Sequence, residues 1–211
     1  MLLNVTGSSC AGKSTLIGQV ESLLDRSDVV VADFDEIGVP DDAGTNWRHV
    51  ANEQWVRRAL DLQGQGRHLL ISSQTPLGEL LATPSAVELE AIANCLVDVD
   101  DDDRLRRLGQ RDPAKWSAET LEAFVRWGQW HRHHAEDPRH LPNVIVRPSS
   151  VPMAWDRWAG WTAGDPRWTS AVIDTTGRSV DDAARELLQW VNDQLHGLDN
   201  GTLPLRRGWL L

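Results

Sequence analysis

Eight residues near the N-terminus carry the strongest chemical signal in the chain. Gly7-Ser8-Ser9-Cys10-Ala11-Gly12-Lys13-Ser14 follow the apolar run Leu2-Leu3-Asn4-Val5-Thr6 and precede the helix-like Thr15-Leu16-Ile17. The order strand, glycine loop, helix gives the spacing G-x-x-x-x-G-K-S its meaning. Gly7 and Gly12 let the backbone turn tightly and approach phosphate oxygens with no Cβ in the way. Successive N–H groups, from Ser8, Ser9, Cys10 and Ala11 on to Thr15, then form an anion nest at a helix N-terminus. Lys13 is expected to reach the β- and γ-phosphates, and the Ser14 hydroxyl to bind Mg²⁺. The ligands implied are ATP and Mg²⁺. Cys10 adds a thiol inside the loop.

Other residues with chemical potential stand at the ends of apolar runs. Asp33 and Asp35 follow Val29-Val30-Val31-Ala32. Alternate residues of an extended segment point to one side, so both carboxylates can face one cleft. Two solvated loop acids in an acidic protein are the alternative. His68-Leu69-Leu70-Ile71 runs into Ser72-Ser73-Gln74 with no carboxylate. Ser73 and Gln74 are equally candidates for an acceptor molecule and for loop capping. Arg104, Arg107 and Arg111 are three and four residues apart and share a helix face. For each of them, pairing with the acids at 100–103 is the competing reading. His131, His133, His134 and His140 lack the spacing of a metal site and read as a polar helix end.

These residues need elements to hold them. Strands are expected at residues 2–6, 28–33, 68–71, 94–99 and 171–174, with a short strand or extended chain at 143–146. Helical periodicity covers 13–24, 46–62, 100–111, 117–135 and 179–196, with shorter helices at 77–81 and 85–92 and a tryptophan-rich one at 152–161. Ser117 and Ser179 read as N-caps. The tail from 197 to 211 reads as loosely attached, with Trp209-Leu210-Leu211 apolar enough to dock. Strands alternating with helices mean a parallel sheet covered on both faces. Ligands of such sheets bind outside the carboxyl ends of the strands. Functional residues are therefore expected at 7–14, 33–35, 72–74, 98–100 and 174–176.

The chain has 211 residues, enough for one α/β domain spanning 1–211. Its formal net charge of −10 opposes passive binding to nucleic acid or anionic membrane. No apolar run approaches the ~18 residues of a membrane span. The phosphate-loop strand starts at residue 2, leaving no room for a signal peptide. Two cysteines, one in the loop and one in a buried strand, suggest no disulfide framework and a reduced, cytoplasmic setting.

The N-terminal loop, the D-x-D after the second strand and the arginine-bearing helix after the fourth resemble the small-molecule P-loop kinases, such as shikimate kinase, gluconate kinase and chloramphenicol phosphotransferase. The resemblance implies a three-layer P-loop NTPase fold, a five-stranded parallel sheet, and a helical, tryptophan-rich lid or acceptor-binding insertion at 113–168. It implies that Asp33 and Asp35 flank the transfer site, one as base and one beside Mg²⁺; Asp35 is assigned as base and Asp33, with Ser14, to the metal. In such kinases arginines of this helix stack on adenine or reach the transferring phosphate, which assigns Arg104 to the nucleotide and Arg107 and Arg111, with Lys13, to catalysis. Arg126, Arg132 and Arg167 are secondary candidates. The turn 174–177 would pass near adenine, placing Thr176 there. The missing acid after Ile71 disfavours a motor or switch ATPase. The activity implied is ATP-dependent phosphorylation of a small-molecule hydroxyl. A nucleoside or nucleotide kinase and a regulatory nucleotide-binding protein are the alternatives.

Overall fold

The computed structural model describes residues 1–113 and 115–210. Five short apolar runs form strands β1 (Leu2–Thr6), β2 (Val29–Asp33), β3 (His68–Ser72), β4 (Ile92–Asp98) and β5 (Ala171–Asp174). They build one sheet in the order β2-β3-β1-β4-β5, and every adjacent pair is parallel. The helices are α1 (Lys13–Leu23), α2 (Thr45–Gln63), α3 (Leu77–Ala82), α4 (Asp101–Arg111), α5 (Ala118–Glu136) and α6 (Val180–Asp199). Ser117 and Ser179 cap α5 and α6 through their hydroxyls, as their positions predict.

The sheet is apolar on both sides because each strand alternates between two cores. Leu2, Leu69, Ile71 and Ile92 point into one, with Trp55, Leu80 and Trp130. Leu3, Val5, Leu70 and Cys95 point into the other, with Leu16, Val20, Leu187 and Val191. This is the three-layer α/β arrangement expected of a parallel sheet. Among the described residues no helix is long and apolar enough to cross a membrane.

Several local expectations are corrected. The helix at 85–92 is a 3-10 turn, Pro84–Glu88, followed by extended chain. Ala91 must accept from the Leu2 N–H at 3.0 Å to start the β4–β1 pairing, which a helix cannot do. The segment 143–146 is neither strand nor extended: a 3-10 turn covers Pro142–Val144. The tryptophan-rich helix at 152–161 reduces to one 3-10 turn, Trp155–Arg157. There Arg157 leaves the turn to donate to the carbonyls of Leu81, Thr83 and Pro84 at 2.8, 2.5 and 2.9 Å, completing the end of α3. Trp158, Trp161 and Trp168 are buried in the first core.

The tail is docked, not loose. Leu203, Leu205 and Trp209 are buried, and the Ile92 and Arg207 N–H groups donate to Leu205 and Glu90 carbonyls at 2.9 and 2.8 Å. Leu211, part of the same expectation, lies outside the described residues. Leu205→Ala is expected to destabilise the protein by about 2–4 kcal/mol in urea unfolding, the cost of a core truncation. A loss under about 0.5 kcal/mol would mark the tail as an ornament.

Candidate functional site

The carboxyl ends of the strands open into a cleft of about 1110 Å³. Its floor is the loop between β1 and α1. Gly7 holds φ 147°, and a Cβ there would stand 2.2 Å from the Val97 carbonyl oxygen, so the loop can cross β4 only with glycine at that position. Gly12 holds φ 102°, and a Cβ there would meet nothing closer than 3.8 Å, so backbone conformation is what demands glycine there. Cys10 also has positive φ, 61°, a conformation that costs a residue with a Cβ roughly 1–2 kcal/mol. The loop thus spends stability to aim its peptide groups.

Gly12 offers no side-chain cap and the first turn of α1 has no acid, so the first N–H groups of α1 keep no protein partner in its own turn. Lys13 lines the cleft and donates to the Ser8 carbonyl at 3.0 Å. Loss of water pulls its ammonium down to about 8, although the charge of Asp33 pushes the other way. No carboxylate among the described residues lies within ion-pair distance of it. A desolvated cation and an uncapped helix end make a site for an anion.

Asp33 and Asp35 face the same cleft but do different work. Asp33 caps the 3-10 turn Phe34–Ile37: its carboxylate accepts from the Asp35 N–H at 3.0 Å, while the Glu36 carboxylate accepts from the Asp33 N–H at 2.8 Å. Its second oxygen accepts from the Ser14 hydroxyl at 3.3 Å. Asp35 spends no side-chain oxygen on the fold among the described residues. Partial loss of water, followed by the Asp33 charge, raises its pKa.

The arginines of α4 divide into two groups. Arg107 and Arg111 line the cleft. Arg107 donates to the Thr175 carbonyl at 2.8 Å and hydroxyl at 2.9 Å, and to the Cys10 carbonyl at 3.4 Å. Arg104, expected on the nucleotide, lies under the loop with no exposed surface. It donates to Ser9 O at 3.0 Å and to the Ser8 hydroxyl, and on its other side to Asp98 at 3.0 Å and Val99 O at 2.9 Å. Arg132 of α5 grips the other Asp98 oxygen at 2.5 Å. Arg104 therefore shapes the loop instead of touching what the loop holds.

Other placements also differ from expectation. Thr176 turns away from the cleft: its hydroxyl accepts from the Asp100 N–H at 2.8 Å and bonds Asp174 at 2.6 Å. Thr175 takes its place, buried between Ala11 O at 2.9 Å and Arg107. One residue of shift along extended chain reverses the side a group faces. Ser73 and Gln74 both line the cleft, but Ser73 is buried and its hydroxyl is committed to Asn4 and the Thr75 N–H. His131 and His134 are buried in the aromatic core, not at a polar helix end; His134 stacks on Trp130. Burial pulls His134 down to about 4 and His131 well below the ordinary range. Trp47 and Arg48, both cleft-lining, escaped sequence reading. The partner that fixes Arg48 is Glu79, 31 residues away, so no local pattern signals it.

No family model and no curated protein matches the chain by sequence. Solved structures do match in shape. A sugar kinase from Janibacter sp. HTCC2649 superposes with a TM-score of 0.57 over 90% of this chain and 94% of its own, at 14% identity. A gluconokinase from Sinorhizobium meliloti 1021 gives 0.50 over 92% and 94%, at 13% identity. The fold is that of the P-loop small-molecule kinases.

The loop's dependence on α5 is testable at Gly128, where a Cβ would stand 2.6–2.9 Å from three atoms of the Arg104 guanidinium. Gly128→Ala is expected to displace Arg104, cost about 1–3 kcal/mol of stability, and weaken MgATP binding at least tenfold. Gly109→Ala, in open space on α4, serves as the control and should leave both intact or slightly raise stability. Equal behaviour of the two variants in melting and calorimetry would refute the strut.

Proposed function

We propose that this protein is an ATP-dependent phosphotransferase that moves the γ-phosphate to a hydroxyl of a small molecule. The observation that carries the reading is the pairing of a desolvated, uncompensated Lys13 at an uncapped helix end with two carboxylates of unequal character in the same cleft.

The triphosphate lies along the loop, where the N–H groups between Gly7 and Thr15 and the Lys13 ammonium neutralise its oxygens. Arg107, tied to the loop through Cys10 and Thr175, and Arg111 further out on the same helix offer donors to the transferring group. Asp35 holds the acceptor hydroxyl and takes its proton as the hydroxyl oxygen bonds to the γ-phosphorus and the bond to the β–γ bridging oxygen breaks. Its raised pKa suits a group that must accept a proton and release it again. The Ser14 hydroxyl and the Asp33 carboxylate are hard oxygen donors in contact with one another, a set that fits Mg²⁺. Bound there, Mg²⁺ would neutralise β- and γ-phosphate charge. Asp33, already engaged with Ser14 and the Asp35 N–H, is left to the metal side.

Two measurements test the reading. Asp35→Asn should lower turnover by about 10²–10⁴ while MgATP affinity stays within about threefold; Asp33→Asn should instead raise the Mg²⁺ requirement. The reverse pattern exchanges the roles, and near-normal turnover by Lys13→Ala removes the mechanism. The second measurement concerns pH. Lys13 titrates at about 8 in the free protein, and a bound triphosphate raises that value. Below pH 8 the ammonium is already charged and binding takes up no proton there. Above it, binding should take up a proton and affinity should fall by up to about tenfold per pH unit. Calorimetry in two buffers of different ionisation enthalpy reads this directly; unchanged affinity from pH 7 to 9.5 would contradict it.

A further inference from the structure

Beyond the phosphate loop the cleft continues along the start of α2, where the acceptor must sit if the phosphotransferase reading holds. Arg48 is the charged residue of this wall, and its charge is already spent. Its Nε and Nη2 donate to the two oxygens of Glu79 at 2.7 and 2.6 Å. Glu79 has no exposed surface, and His49 Nε2 and Asn52 Nδ2 complete its surroundings at 3.4 Å each. Burial pushes the Glu79 carboxyl up, but Arg48 and His49 bring it below its ordinary value, so the pair is ionised and neutral as a unit. A fully buried carboxylate cannot release its guanidinium to a ligand without becoming an unpaired buried charge.

Arg48 is thereby fixed in place and 22% exposed, with its third nitrogen, Nη1, unpartnered among the described residues. The Trp127 ring lies 5.3 Å beneath the guanidinium carbon. The Trp127 indole N–H donates to the Gln74 side-chain oxygen at 3.2 Å, which leaves the Gln74 amide nitrogen as a second donor. Trp47 supplies a flat apolar surface beside them, set edge-on against buried Phe34. The wall therefore offers two neutral-environment donors and an aromatic face. On this side of the loop Asp33 and Asp35 carry negative charge without an ion-pair partner among the described residues, while the Lys13 cation belongs to the triphosphate site.

We propose that the acceptor is an uncharged, hydroxyl-bearing molecule with an apolar face, of the sugar, polyol or nucleoside kind. Its face packs on Trp47, its oxygens accept from Arg48 Nη1 and the Gln74 amide, and one hydroxyl meets Asp35. A carboxylate or phosphate on the acceptor would find Arg48 already neutralised and the Asp35 carboxylate beside it, and is rejected by that repulsion. Glu79 is the specificity-determining residue: it positions Arg48 and cancels its charge. The inference rests on the phosphotransferase reading.

The test is MgATP consumption over two matched panels: uncharged sugars, polyols, glycosides and nucleosides, and the corresponding sugar acids, carboxylates and phosphate monoesters. Turnover of at least one uncharged member, with kcat/KM tenfold or more above its charged counterpart, is the expected result. Glu79→Gln should cut that ratio at least tenfold by leaving the Arg48 charge free. Because Glu79→Gln acts in the core, Gln74→Leu on the cleft surface gives a second arm and should raise the KM of the uncharged acceptor at least fivefold. Preference for a charged member, no turnover with any uncharged one, or a ratio and KM indifferent to both substitutions would overturn the proposal. MgATP binding measured by calorimetry separates the two levels. Its absence from the wild-type protein removes the phosphotransferase reading itself, whereas intact binding with turnover of charged acceptors only removes the acceptor inference alone.

Discussion

The buried guanidinium of Arg104 is the contact on which the site depends. It joins the phosphate loop, through Ser8 and Ser9, to the end of β4, through Asp98 and Val99. It is also pressed against the backbone of α5 at Gly128. A buried ion pair of this kind is weak evidence for stability, since desolvation offsets its attraction. Its value lies in geometry. Donors in a rigid plane fix the direction of every group they touch, and here Nη1 and Nη2 fix the path of the loop between β1 and α1. Arg107 repeats the device on the exposed side of the same helix, tying Cys10 and Thr175 together. Two arginines from one helix thus frame the loop from below and from the side.

The cleft gains its chemical asymmetry from what each carboxylate must do for the fold. Asp33 is a helix-turn cap and a partner of Ser14, so its oxygens are committed. Asp35, two residues on, is left to the cleft. Partial loss of water and the neighbouring Asp33 charge raise the Asp35 carboxyl above its ordinary range. Lys13 has the complementary state: a cation partly withdrawn from water, with no carboxylate in ion-pair distance among the described residues.

The tryptophans explain why the stretch after α5 holds its shape with little regular structure. The chain has eleven tryptophans and no tyrosine. Irregular backbone leaves carbonyls without helix or sheet partners, and buried ones need donors. Indole N–H groups serve this need and bind the stretch to its neighbours: Trp130 of α5 donates to Leu141 in the irregular stretch, and Trp158 and Trp168 tie that stretch to the Gly78 carbonyl of α3 and the His134 carbonyl in the last turn of α5, at 3.2, 2.8 and 3.0 Å. Each ring at the same time buries a large apolar face in the core shared with α3. One residue type thus provides both packing and backbone satisfaction.

Much of this was legible without coordinates, and the boundary has a physical origin. The phosphate loop, four of the five strands to within a residue at each end, the caps Ser117 and Ser179, and the pair Asp33/Asp35 are local features. Periodicity, glycine spacing and cap chemistry act over a few residues, and the sequence by itself determined them. It also pointed to a cleft at the carboxyl ends of the strands, because alternating strands and helices allow few other arrangements. Tertiary structure decided the rest. Arg104 and Arg107 share a helix face, yet one is buried under the loop and the other lines the cleft; only the position of Asp98 and Gly128 separates them. Thr175 rather than Thr176 faces the loop because a one-residue phase on extended chain depends on what the chain joins. Ile92 entered a strand, and the tail became part of the core, because pairing partners nearly a hundred residues or more away, at Leu2 and Leu205, demanded it. Arg48 became a neutral dyad only on meeting Glu79. A side chain's charge, exposure and role belong to its neighbours in space, and those neighbours are set by packing that no short window of sequence contains.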